Sequence, residues 1–294
     1  MKQQHYPVMY KEVTDIFSET GKQWFIDCTL GMGGHTHHIL QTFASARVIG
    51  LDVDDRSIAQ AKSLLAEFGE RVEIHRVNFT QLFECLDLSH KEISGLLVDP
   101  GISIYQLKDS TRGFSHSLDA RLDMRKDLRG ELTAYDVINQ YSEKQLQELF
   151  ETYGEIPRAA ELAKKIIEGR LFGVIETTGQ LTQIVEKLYH WRPKRGKTHP
   201  AANIFQALRI AVNKELDHID EFINKAAAYL PAGGRIVFLS FHSVEDRIVK
   251  RAFNTLQKEN KIRIIKPFPM VPSATEVTEN LPSRSVKLRA GEVL

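Results

Sequence analysis

Apolar residues in the first hundred positions fall into short continuous runs, separated by stretches in which they recur at helical spacing. That rhythm predicts strand and helix in alternation. Trp24-Phe-Ile-Asp-Cys28 is an apolar run that stops before Gly31, and Thr36 to Phe43 reads as a helix. Arg47 to Asp52 is a second strand, followed by a helix carrying Ile58, Ala61, Leu64, Leu65 and Phe68 on one face. Val72 to Val77 alternates like a half-buried strand, and Ile93 to Val98 is another buried strand ending at Asp99. Alternation of this kind builds a parallel sheet with helical crossovers.

The rhythm then changes. From about Ser103 to Lys214 only helical spacing is found. One segment contains Val137, Ile138, Tyr141, Leu146, Leu149 and Phe150, and a second runs from Ala159 to Ile167. A third holds Leu181, Ile184, Val185, Leu188 and Tyr189 behind a Thr178 cap. After Pro200 a long amphipathic helix is predicted through Phe205, Leu208, Val212, Leu216, Ile219, Phe222 and Ile223, stopping at Pro231-Ala-Gly-Gly234. Strands return at Arg235–Ser240, Lys261–Ile265 and Ser285–Arg289. The economical reading is a discontinuous α/β domain over 1–102 and 215–294, interrupted by a helical insertion over 103–214. That insertion leaves from the carboxyl end of the fourth strand, the edge at which open α/β sheets bind ligands.

Composition adds limits rather than detail. With 42% hydrophobic and 26% charged residues in 294, the chain can bury one large core or two modest ones. A net charge of +1 leaves room for a local basic face. Two cysteines, Cys28 and Cys85, make neither a disulfide framework nor a four-thiolate zinc site. No apolar stretch approaches the ~20 residues that cross a bilayer and no apolar leader is recognisable, so a cytoplasmic protein with no membrane association is expected.

The chemistry begins in Asp27-Cys-Thr-Leu-Gly31-Met-Gly33-Gly34-His35, between the first strand and first helix. Glycines here let the backbone approach a ligand, and the helix start aims its amides at it. Asp52 ends the next strand about twenty residues on, where a carboxylate can accept from ribose hydroxyls; the other reading is a cap for the following helix. Together these predict a nucleoside cofactor. The dinucleotide fingerprint fails because its last glycine position is Thr36, which disfavours a nicotinamide oxidoreductase. Asn78-Phe79 offers an aromatic face for adenine, and Asp99-Pro100-Gly101 places a carboxylate toward the reacting end. His35, His37 and His38 have no acidic or thiol partner at ligand spacing, and no metal is expected.

Across nearly the whole chain the sequence resembles the MraW/RsmH family, methyltransferases acting on the exocyclic N4 amine of a decoding-site cytosine in 16S ribosomal RNA. The matching blocks include Asp27–His35, Gly50-Leu-Asp52, Asn78-Phe79, Asp99–Ser103 with Gln106-Leu107, and Arg112-Gly-Phe-Ser115. Further along stand Leu122-Asp-Met-Arg125, Tyr153-Gly-Glu155, His199-Pro-Ala201, Phe205–Ile210, Ser240–Arg247 and Arg284–Arg289. The resemblance implies a Rossmann-like class I methyltransferase sheet with an inserted all-helical RNA substrate domain. It also implies S-adenosylmethionine as cofactor, the small ribosomal subunit or its 16S rRNA as partner, and a homodimer. Its cofactor-contacting positions correspond to Gly33, Gly34, His35, Asp52, Phe79, Asp99 and Gln106. Asp99 is also the candidate catalytic acceptor for the amine proton.

Candidate substrate contacts are Arg112, Arg125, Lys194, Arg195, His199, Arg209, His242 and Arg247, for which the alternative is a surface ion pair. Trp191-Arg-Pro-Lys-Arg-Gly-Lys197 packs four basic residues and an aromatic into one loop that suits an RNA backbone. The chain departs from the family pattern at Pro100, Ile104, Lys108, Arg121, Lys126, Ala202, Asn203 and Ile204, and near Arg284 it lacks one arginine. Those departures motivate two rivals: a non-catalytic RNA-binding assembly factor on the same fold, and a methyltransferase with a shifted substrate.

Overall fold

A computed structural model describes residues 7–20, 23–193 and 198–294. Its strands are β1 (Trp24–Asp27), β2 (Arg47–Asp52), β3 (Val72–Arg76), β4 (Ile93–Val98), β5 (Arg235–Ser240), β6 (Ile262–Met270) and β7 (Lys287–Val293). The helices, in chain order, are α1 (Tyr10–Phe17), α2 (Gly34–Thr42), α3 (Asp55–Leu64), α4 (Leu82–Cys85), α5 (Ile104–Lys108), α6 (Ala134–Gln140) and α7 (Glu143–Gly154). Then come α8 (Ala159–Arg170), α9 (Thr178–Tyr189), α10 (Ala201–Asn213), α11 (Ile219–Tyr229), α12 (Ser243–Lys258) and α13 (Ala274–Glu279). The chain divides into two compact units, one comprising Met1–Gly101 with His218–Leu294 and the other Ile102–Asp217.

In the first unit the seven strands form one sheet in the order β3-β2-β1-β4-β5-β7-β6. Neighbours from β3 through β5 pair in parallel, while β7 runs antiparallel between β5 and β6. All six residues of β4 and of β5 are buried, as expected of strands covered on both faces. Strand order reverses between β1 and β4, which makes their carboxyl ends the switch point where such sheets open a crevice. One side of the sheet is covered by a core of Val13, Phe17, Phe25, Ile39, Leu40, Leu97, Val237 and Leu288.

The second unit is helical, and its only strand-like feature among the described residues is an isolated bridge between Arg121 and Thr177. Its core gathers Val137, Ile138, Leu146, Phe150, Leu162, Ile166, Leu181, Val185, Ile204 and Leu208. Three details differ from the sequence reading. The Val137–Phe150 segment is two helices, because Tyr141 turns extended and Ser142 with Gln145 forms a capping box that starts α7. The cap of α9 is Thr177, paired with Gln180, whereas the Thr178 hydroxyl donates to the Leu118 carbonyl. The long helix after Pro200 is likewise two, broken where Lys214 (φ 51°) and His218 (φ 62°) turn left-handed. The division between the units falls in that break.

Candidate active site

β1 ends on Asp27, whose side chain is 1% exposed. Its Oδ2 accepts from the Thr36 hydroxyl at 2.7 Å and its Oδ1 from the Thr29 amide at 3.3 Å, so strand end and helix start are laced together. Burial pushes the Asp27 carboxyl above its ordinary range, against the opposing pull of His35 and the Thr36 bond. The intervening loop is tied to both neighbouring strands. Leu30 N–H donates to the Leu51 carbonyl at 2.7 Å, and Cys28 N–H donates to that of Leu97 at 2.8 Å. Gly50 is required beneath it, since a Cβ there would lie 2.8 Å from a Leu30 methyl.

The two acids stand on either side of this loop. Asp52 Oδ2 accepts from the Gly31 amide at 2.7 Å, and Oδ1 accepts from Val53 at 2.7 Å and Asp54 at 2.8 Å. The helix-cap reading of Asp52 belongs instead to Asp54, whose carboxylate accepts from Arg56 N–H at the start of α3. On the other side, Asp99 N–H donates to the Thr29 hydroxyl at 2.5 Å. Asp27 pairs with Gly50 and with Leu97, and the two acids each lie two residues beyond those partners. Two strand spacings put them ~10 Å apart, about the width of a nucleoside.

α2 begins at Gly33, in left-handed geometry at φ 87°, with no side chain capping its first amides. An uncapped helix start next to a glycine turn leaves N–H donors for an anionic or polar ligand. His35 is 6% exposed, and its Nε2 lies 3.3 Å from Asp99 Oδ2, the carboxylate being 18% exposed. Neither His35 Nε2 nor Asp99 Oδ1 has a hydrogen-bonding partner, although both are buried. The buried Ser240 hydroxyl, at the end of β5, is similarly unpaired. Phe79 follows β3 and packs edge-on against Phe222 of α11 at 5.0 Å. Gln106 lies in the second unit, where its side chain accepts from Ser103 N–H and closes the capping box of α5.

The candidate substrate contacts are placed unevenly. Arg112 is buried and donates to the Lys126 carbonyl at 3.0 Å. Arg125 grips Asp123 through two bonds of 2.9 and 2.7 Å, and Arg209 meets buried Glu215 at 2.9 Å. The sequence offered these three arginines as substrate contacts, with an ion pair as the alternative; in the structure each has partners inside its own unit. Lys126, one of the departures, supplies the second cation on Glu215 at 2.7 Å. His199 stacks on His116 at 4.7 Å, meets Trp191 edge-on at 5.0 Å, and contacts Glu186 at 3.1 Å. His242 caps α12 through Nδ1, and Arg247 is exposed on the same helix. Lys194 and Arg195 lie outside the described residues. The three adjacent histidines go separate ways: His37 contacts Glu67 at 3.4 Å and His38 stacks on Tyr10 at 4.2 Å.

Comparison with known families decides the chemistry. The model of the MraW methylase family matches residues 2–294. This chain belongs to that family. Ribosomal RNA small subunit methyltransferase H of Sulfurihydrogenibium sp. (strain YO3AOP1) is 43% identical over 98% of each chain. The protein of that name from Thermotoga neapolitana is 42% identical, covering 99% of this chain and 96% of its own. A solved rRNA methylase from Streptococcus thermophilus aligns over 96% of this chain and 95% of its own, with TM-score 0.44 and 10% identity, a likeness too loose to locate a residue. The seven-stranded sheet is therefore a class I methyltransferase sheet, its strand order reversing between β1 and β4.

Sequence reasoning gave no role to Asp27, Thr29 or Ser240, and met Thr36 only as the position at which the dinucleotide fingerprint fails. Asp27 and Ser240 stood inside quoted blocks, and the signal available was a polar residue ending an otherwise apolar strand. The hydroxyls of Thr29 and Thr36 act across distances in sequence that spacing does not reveal.

Proposed function

We propose that this chain methylates the N4 amine of a cytosine in the decoding region of small-subunit ribosomal RNA, using S-adenosylmethionine. Family membership supports methyl transfer, and the relatives' names point to small-subunit rRNA. The observation that carries the site assignment is the buried, unpartnered Oδ1 of Asp99 at the switch point. An acceptor in that state costs free energy until a donor meets it. A ligand amine supplies that donor, and Asp52 and the α2 amides fit the polar edges of a nucleoside. Adenine stacks on Phe79 in this reading, and Gly33, Gly34 and His35 line the cofactor's path.

Bound S-adenosylmethionine supplies a sulfonium methyl that is already electrophilic. The residues then have to align nitrogen, carbon and sulfur, which can supply about 7–11 kcal/mol. A cytosine amine is a weak nucleophile because its lone pair is delocalised into the ring. Asp99 accepts a hydrogen bond from it and returns density to nitrogen. Once bound, the sulfonium would give its methyl to nitrogen and keep the C–S electron pair as a thioether, and Asp99 would accept the amine proton. The target base reaches the crevice unstacked, and the helical unit serves as the RNA-binding domain, through Trp191, His199 and the basic residues Lys194 and Arg195, with Arg247 of the sheet unit as a further cation. A homodimer working in the cytoplasm completes this reading.

Transfer of labelled methyl to purified small subunits, with the modified nucleotide mapped by mass spectrometry, tests the activity. Asp99→Asn should keep cofactor affinity and lower turnover by about 10²–10⁴-fold, the span of general-base contributions. Unchanged turnover would remove Asp99 from the chemistry.

A further inference from the structure

Three ionisable groups come from elements that meet at the β1–β4 switch point. Asp27 comes from the end of β1, His35 from the first turn of α2, and Asp99 from the end of β4. All are withdrawn from water: Asp27 is 1% exposed, and the His35 and Asp99 side chains are 6% and 18% exposed. Asp27 is fully committed, with one oxygen on the Thr36 hydroxyl and the other on the Thr29 amide. It also interacts electrostatically with both His35 and Asp99. His35 Nε2 has Asp99 Oδ2 at 3.3 Å and no other polar partner.

The 3.3 Å contact does not meet hydrogen-bond geometry; with a proton on Nε2, a small turn of the ring lets it donate to Oδ2, the acceptor beside it. That leaves Asp99 with two different oxygens. One is turned to His35; the other has no partner in the protein. Carboxylate rotation about Cβ–Cγ would exchange them, and the His35 contact opposes that rotation. The backbone of Asp99 is already fixed from the far side by its bond to the Thr29 hydroxyl.

We propose that His35 is a positioning residue for Asp99: its Nε2–H turns to hold Oδ2, so that Oδ1 alone is presented to the target amine. The proposal rests on the reading of Asp99 as acceptor given above. It assigns His35 a side-chain duty separate from any contact its backbone makes with the cofactor. The proton on Nε2 stays on His35 throughout, and the proton released by the amine goes to Oδ1, so no further proton carrier is needed.

The test pairs two substitutions with a measurement on the ligand-free protein. His35→Leu removes the donor, whereas His35→Gln keeps an amide N–H within reach of the Nε2 position. His35→Leu should lower kcat about tenfold to hundredfold, the effect of one charge-assisted bond, with cofactor Kd within threefold of the parent. His35→Gln should restore most of kcat. Nitrogen-15 spectra of the unliganded protein should show His35 Nε2 protonated, and its resonance should move in Asp99→Asn.

An unprotonated Nε2, or a His35→Leu enzyme with full kcat, would overturn the proposal. So would a His35→Gln enzyme as slow as His35→Leu with cofactor affinity lost in both, which would make His35 a cofactor shelf. The two readings fail separately. Loss of turnover in Asp99→Asn beside full turnover in His35→Leu removes the positioning role alone, whereas full turnover in Asp99→Asn removes both.

Discussion

Replacing Asp52 by asparagine changes one atom, and the hydrogen bonds around it say what should follow. The carboxylate accepts from three backbone amides: Val53 and Asp54 on Oδ1, and Gly31 on Oδ2. The asparagine that loses least keeps its carbonyl oxygen on Val53 and Asp54, which puts its NH2 group against Gly31 N–H, two donors where the native pair stood 2.7 Å apart. Flipping the amide is worse, because it sets the NH2 against two donors. Gly31 therefore loses a charge-assisted bond, worth about 1.5–3 kcal/mol. The loop it anchors is the one that carries Gly33 into the helix start. If that loop must hold its position to bind a nucleoside, the loss appears in affinity as a Kd raised about tenfold to hundredfold. Isothermal calorimetry with S-adenosylhomocysteine measures it directly. Asp54→Asn is the control, since Asp54 caps α3 rather than the loop. A Kd within twofold of the parent in Asp52→Asn would show that the Gly31 tether does not shape the cofactor site.

Two further outcomes are expected. Burial works to raise the carboxyl of Glu215, but Arg209 and Lys126 outweigh it and leave it below its ordinary value of 4.5. An acid depressed in the folded state adds stability that is fully present above its unfolded value and disappears as pH falls through the folded one. The helical unit should therefore lose stability below about pH 4.5, and Glu215→Gln should flatten that dependence. Of the two tryptophans, Trp24 lies in the sheet unit and Trp191 in the helical unit, so Trp191 fluorescence in a Trp24→Phe background follows this melt; an unchanged acid limb in Glu215→Gln would refute it. At Gly33, alanine must adopt φ 87° and set its Cβ 3.0 Å from a Leu65 methyl. The left-handed penalty of about 1–2 kcal/mol should weaken cofactor binding about tenfold in a direct titration, and full affinity would show that the turn can relax.

What was legible in the sequence, and what was not, follows from how each feature is written into the chain. β1 to β5 were found to within a residue because buried parallel strands leave mostly apolar runs ending in a polar residue, while half-buried β3 alternates. The break between α10 and α11 was invisible because Phe205, Leu208, Val212, Ile219 and Phe222 stay near helical phase while the backbone turns left-handed at Lys214 and His218 without a glycine or proline to mark it. The glycines, Asp52 and Asp99 stood out because each combines a rare residue type with a strand end. The arginines stayed undecided for the opposite reason: a guanidinium looks the same in sequence whether it meets phosphate or an acid. Only packing reveals that Arg209 and Lys126 share Glu215, and that Asp246 of one family block holds Arg289 of another at 2.7 Å.

Long-range bonds also explain why the site cannot be taken apart one residue at a time. The β1–α2 loop touches the Asp52 side through Gly31 and Leu30 and the Asp99 side through Thr29 and Cys28. A shift of that loop moves the contacts of both acids together, while Asp27 locks the loop's first residues to the start of α2 through Thr36. Substitutions at Asp27, Thr29 and Gly31 should therefore couple when combined, since residues sharing one hydrogen-bonded network do not act additively. Distant replacements such as Glu215→Gln belong to the other unit and should add to them. Coupling near zero between Asp52→Asn and Thr29→Val in cofactor affinity would mean that the loop is two independent tethers, and that the ~10 Å between the acids is set by the strands alone.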